Sequence, residues 1–191
     1  MTTANPAETF GARLRQARAM RGWSLRALAD RLKDRVSHTT LAQLEEGTRI
    51  PGSEILLALA DGLGQELDFF FRPITVQLEG IDFRKTSRLG VRQIAQVREE
   101  AAAHFERYLE LEELCCERTK FQNPLRHTLA ATFDEVEHGA MEVRAAWKLG
   151  HDPIPNVLDL LEQHGAKVHL LDGPADFNGF SGMTGEIPVI L

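Results

Sequence analysis

Residues 24–51, SLRALADRLKDRVSHTTLAQLEEGTRIP, decide how the rest of the chain is read. Ser24 is a good N-cap, because its hydroxyl can accept from a backbone amide that the first turn of a helix leaves unpaired. Leu25, Leu28, Ala29 and Leu32 follow at i, i+3, i+4 and i+7 and make one apolar face. Lys33-Asp34-Arg35 breaks the pattern. Ser37 then opens a second short helix with Leu41 and Leu44 three apart, and Gly47 supplies the left-handed residue that ends it. Helices this short bury little alone, so neighbours must complete a core. The outward positions of the second helix, Ser37, His38, Thr39, Thr40 and Gln43, are polar and free of carboxylates. Such a face can lie in a major groove and hydrogen-bond with base edges.

The flanks supply the missing helices. From Glu8 to Met20, Phe10, Leu14 and Ala17 form an apolar stripe, while Arg13, Arg15, Arg18 and Arg21 cover much of the rest. Downstream, Ser53 is expected to cap a helix carrying Ile55, Leu56, Leu59 and Ala60, with Gly62 and Gly64 near its end. Glu66–Phe71 reads as a short fifth helix. At least one of Phe69, Phe70 and Phe71 is expected to plug the core, since three exposed phenylalanines would invite aggregation.

Taken together, LRQARAMRGWSLRALADRL, VSHTTLAQLEEGTRIP and ILLALADGLGQELDFFF resemble the phage-repressor-like helix-turn-helix of the xenobiotic-response-element (XRE) family of bacterial regulators. The resemblance runs from Phe10 to Phe71. It implies a five-helix DNA-binding domain over residues 7–72, acting on double-stranded DNA as a homodimer. It also implies that Arg18 pairs with Glu45, tying the first helix to the recognition helix by charge-assisted bonds. Ser37, His38, Thr39, Thr40 and Gln43 are the DNA-facing candidates, with Gln43 best suited to adenine. Arg35, Arg49 and Arg13 are the phosphate candidates. The family has a short glycine turn where this chain has Lys33-Asp34-Arg35, which lengthens the turn.

Charge agrees with that division. The chain carries a net −6, yet residues 1–50 hold nine Arg and Lys against five Asp and Glu, so the excess acid lies in the remainder. A basic head on an acidic body favours one orientation towards phosphates. No apolar stretch approaches the roughly 20 residues of a membrane span, and no signal sequence opens the chain, so a cytoplasmic protein is expected. Cys115 and Cys116 are adjacent, which suits neither zinc spacing nor a disulfide framework, and they read as small, partly buried apolar residues.

Residues 73–86 read as a linker or short strand, because Ile74, Val76 and Leu78 alternate with polar residues. The fold class as a whole is mainly α, the head being followed over 87–191 by an α+β domain with long helices and a small C-terminal sheet. Ser87 is a candidate cap for a helix over 88–117. There Ile94, Val97, Ala101, His104, Tyr108, Leu111 and Cys115 make a heptad-like seam, facing either a second copy or, in the favoured reading, the domain's own core. His104 in that seam reads as a core histidine. Further helices are expected over 125–149, interrupted near His138-Gly139, and over 156–164. Strands follow near 166–171, 177–183 and 187–191, and the apolar end at Leu191 looks like a fold cut short.

The stretches FFFRP, FRKTSRLG, LGHDPIPNVLDLLEQHGAKVHLLD, FNGFSG and IPVIL resemble the region leading into an ImmA/IrrE-like metallopeptidase domain. That family's zinc helix, His-Glu-x-x-His, does not occur among the seven histidines of this chain. His138 with Glu142 and Asp134 is better read as a solvated helix face than as a metal site. No catalytic residue, cofactor or metal is therefore assigned, and the chain is expected not to be an enzyme. The favoured function is a sequence-specific transcriptional regulator, acting as a repressor, whose second domain senses a small-molecule or protein effector or dimerises. The alternatives are an amino-terminal fragment or decayed relative of a zinc peptidase, and an antitoxin or phage-type repressor.

Overall fold

In the computed structural model residues 5–33, 35–85, 89–125, 131–174 and 176–191 are described. The head consists of α1 (Pro6–Met20), α2 (Leu25–Arg31), α3 (His38–Glu45), α4 (Ser53–Leu63) and a 3-10 turn, Leu67–Phe71. The stripe Phe10, Leu14 and Ala17 meets Leu28, Leu41, Leu44, Leu59, Leu63 and Phe70 in one buried cluster. The expected fifth helix is a 3-10 turn, since five residues before Pro73 give no room for α-helical bonding. Phe70 is the plug, its ring 5.6 Å from that of Phe10, while Phe71 stays about half exposed. Ser53 is the first residue of α4 and not its cap. Gly52 holds the cap position without a side-chain bond, and Gly64 closes the helix in the left-handed conformation.

Residues 72–78 run extended without pairing, and β1 (Glu79–Lys85) begins later than the alternation of Ile74, Val76 and Leu78 suggests. The alternation is nonetheless real as burial: Val76 and Leu78 point into a second core with Val97, Ala101, Ala102, Phe105, Phe180 and Val189. α5 spans Val91–Cys115 with Gly90 at its cap position, and Ser87 lies outside the described residues. The seam on α5 turns inward over its first half. At its far end Leu111 and Cys115 are exposed, as is Cys116, which corrects the partly buried reading of the two thiols.

α6 (Phe133–Ala146) starts later than expected because Thr132 and Glu135 form a reciprocal capping box there, and it passes through His138-Gly139 unbroken. The start of the expected helix at 126–130 lies outside the described residues. α7 (Val157–Gln163) is capped by Asn156, whose side chain accepts from the amides of Leu158 and Asp159. The sheet has the order β1-β3-β4-β2, with β2 (Lys167–Val168) parallel to β4 (Ile187–Ile190) and β3 (Phe177–Thr184) antiparallel to β1 and β4. The last strand is thus flanked by pairing on both sides, and no apolar edge is left open by it.

Candidate nucleic-acid interface

α3 is set by its two ends. Ser37 Oγ accepts from the Thr40 amide at 3.1 Å and lies 3.0 Å from the Thr40 hydroxyl. At the other end the Gly47 amide donates to the Leu44 carbonyl and the Thr48 amide to the Gln43 carbonyl, with Gly47 at φ 69°. Those paired bonds form a Schellman closure, which needs a residue without a Cβ penalty at Gly47. Between the caps, Leu41 and Leu44 are fully buried. Ser37, His38, Thr39 and Gln43 are exposed and Thr40 is half-buried. The Ser37 and Thr40 hydroxyls are engaged with the cap, which leaves His38, Thr39 and Gln43 with free outward side chains.

The position of α3 is fixed from α1. Arg18 Nε and Nη2 donate to the two Glu45 carboxylate oxygens at 2.5 and 2.7 Å, and Arg18 Nη1 donates to the Trp23 carbonyl. Glu45 is buried and Arg18 mostly so, which makes the pair a fork-on-fork contact shielded from water. Arg15 adds a second positive charge 3.7 Å from Glu45. Gly11 was not singled out by its sequence context, yet it decides the approach. A Cβ there would stand 2.6 Å from the backbone carbonyl oxygens of both Leu44 and Glu45. The last turn of α3 rests directly on the backbone of α1.

Arg35 and Arg49 are exposed at the two flanks of α3. Arg13 is not. It is 3% exposed, with Nη1 2.6 Å from Glu106 of α5 and 2.7 Å from Gln16 Oε1, and with Nε and Nη2 donating to the carbonyls of Arg72 and Pro73. The assignment of Arg13 to phosphate is therefore corrected. It lies three residues after Phe10 and four before Ala17, inside the apolar stripe, and that spacing was the available signal. Glu106 completes the junction by accepting from the Thr75 amide at 2.8 Å. The stretch after the 3-10 turn is held between α1 and α5 instead of serving as a free linker.

The turn before α3 also has a physical explanation. Lys33 adopts φ 54°, the left-handed conformation that a glycine would take more readily. In the body, His138 Nε2 lies 3.3 Å from Glu142 on an exposed face, and among the described residues no cluster of three metal-binding side chains occurs. No helix of the described residues is long and apolar enough to cross a membrane.

A helix-turn-helix family model matches residues 14–70. The head is a helix-turn-helix domain of the XRE type, the DNA-binding unit of transcription regulators. No curated protein matches the chain. Among solved structures, the clp gene regulator ClgR from Corynebacterium glutamicum aligns at 24% identity and a TM-score of 0.33, over 59% of this chain and 96% of that one.

Proposed function

We propose that the chain is a sequence-specific transcriptional repressor that binds double-stranded DNA as a homodimer, each α3 entering the major groove of one half-site. The observation that carries this reading is the division of α3 itself. Leu41 and Leu44 are fully buried, and His38, Thr39 and Gln43 project outward with no carboxylate among the exposed residues of 37–43. A helix held rigidly by the Arg18–Glu45 fork presents those side chains in a fixed register, which base discrimination needs. Arg35 and Arg49 would take the backbone on either side, and residues 73–191 would act as the sensory or dimerising part. The helix-turn-helix match supports the DNA chemistry; repression, dimerisation and the role of the body are the proposal's own content.

The experiment is a gel-shift series on the DNA upstream of the chain's own gene, at several salt concentrations, with Arg35→Ala and Arg49→Ala beside the unaltered chain. Binding should weaken steeply with salt, and each substitution should lower the slope of log affinity against log salt by about one while leaving sequence preference unchanged. Failure to shift any duplex at low salt would overturn the reading.

A further inference from the structure

Beside the Arg13–Glu106 junction lies a cavity of about 660 Å³ between the head and α5. Its floor is apolar, made by Phe69, Val76, Ala103 and Leu109, and the buried guanidinium of Arg13 lines its wall. A volume of this size falls within the roughly 300–1,000 Å³ range of small-molecule sites. Its charges divide into two groups. Arg13 is bound by Glu106, and Arg72 lies within reach of Asp68 and Glu110, so these charges are already matched. Arg107, Arg118, Glu66 and Glu113 line the same cavity, and no ion pair holds any of them among the described residues. The charge of Arg107 is felt nearby, where it helps hold His104 and His169 below the ordinary histidine range after burial has done most of that work.

We infer that this cavity binds a short peptide, or a peptide-like zwitterion, of about three apolar residues. A simple organic anion would satisfy the free arginines and add repulsion at Glu66 and Glu113; a simple cation would do the reverse. A ligand with a carboxylate at one end and an ammonium at the other meets both sets. Arg107 and Glu113 lie six residues apart on α5, about 9 Å along its axis at 1.5 Å per residue and about 120° apart around it, a separation of the same order as a short peptide. An extended tripeptide spans about 10 Å. Its side chains would cover the apolar floor, and its occupancy would bear on the strap that joins head to body. Only that last consequence rests on the DNA-binding reading; the binding site itself does not.

The test is isothermal titration calorimetry of the full chain, without DNA, using trileucine, its N-acetylated and C-amidated form, hexanoate and hexylamine. Trileucine should bind one per chain, and blocking its two ends should abolish the heat. Arg107→Glu and Glu113→Lys, both at exposed positions that leave the fold intact, should each weaken trileucine about tenfold or more. Equal binding of the blocked peptide, equal binding of hexanoate or hexylamine, insensitivity to both substitutions, or no binding of trileucine at all would each overturn the inference. Because DNA is absent, a negative gel shift leaves this result standing, and the reverse also holds.

Discussion

α1 carries two contacts built on the same chemistry and used for different ends. On one face Arg18 grips Glu45 and holds α3 within the head. On another, Arg13 grips Glu106 and holds the head to the body. Both are arginine–carboxylate forks shielded from water, but their surroundings differ. Arg18 and Glu45 sit at the edge of a close backbone packing, with Gly11 under the last turn of α3. Arg13 and Glu106 gather loose ends instead, binding two carbonyls and two amides of an extended strap that has no strand partner. The first contact positions a surface; the second replaces secondary structure that the linker lacks.

Breaking the second contact should cost most. Glu106→Ala leaves Arg13 buried without its counter-charge and frees the Thr75 amide, a loss of about 3 kcal/mol. It should appear as a lower denaturant midpoint and as new proteolytic cleavage within residues 72–78. Gly11→Ala attacks the backbone packing of the first contact, and a forced separation of α1 from α3 should cost about 2–3 kcal/mol. Its melting temperature should fall by several degrees, and DNA affinity should fall with it. Glu45→Ala should cost about 2 kcal/mol, less than Glu106→Ala because Arg18 lies nearer the surface than Arg13. An unchanged melting temperature would remove the fork from any structural role.

A pH titration sharpens the comparison from the body's side. His104 of α5 stacks on His169, the ring centroids 3.5 Å apart, and burial, then His169, then Arg107, depress its pKa to about 4. The unfolded chain would protonate the same ring near 6.5, so the unfolded state binds more protons between those values. The contribution is complete above pH 6.5 and is lost progressively as pH falls towards 4. Thermal denaturation across that window should show falling stability, and His104→Phe should flatten the slope.

The head was legible because its signals are local. The caps Ser24 and Ser37, the terminator Gly47 and the spacing of Leu41 and Leu44 act within one turn of helix, where sequence distance and spatial distance agree. The local pattern misplaces Arg13 because its partner, Glu106, lies in another element 93 residues away, and nothing in either local pattern joins them. Gly11 is silent in the sequence for the same reason: the atoms that forbid a side chain there belong to α3. On α6 the reverse occurs. Met141, Trp147 and Phe133 read as core residues, yet Phe133 and Met141 are exposed and Trp147 is only half-buried, since an apolar side chain on a helix does not show what covers it.

The most direct test concerns Gln43. Selection of bound duplexes from a randomised pool, done in parallel with the unaltered chain and with Gln43→Ala, would compare their preferred sites base by base. The account predicts that the substitution weakens binding by about 1–3 kcal/mol and relaxes preference at a single position of each half-site, with the rest of the site kept. Identical site preferences for the two proteins would contradict it, because the outward face of α3 would then not be what touches the bases.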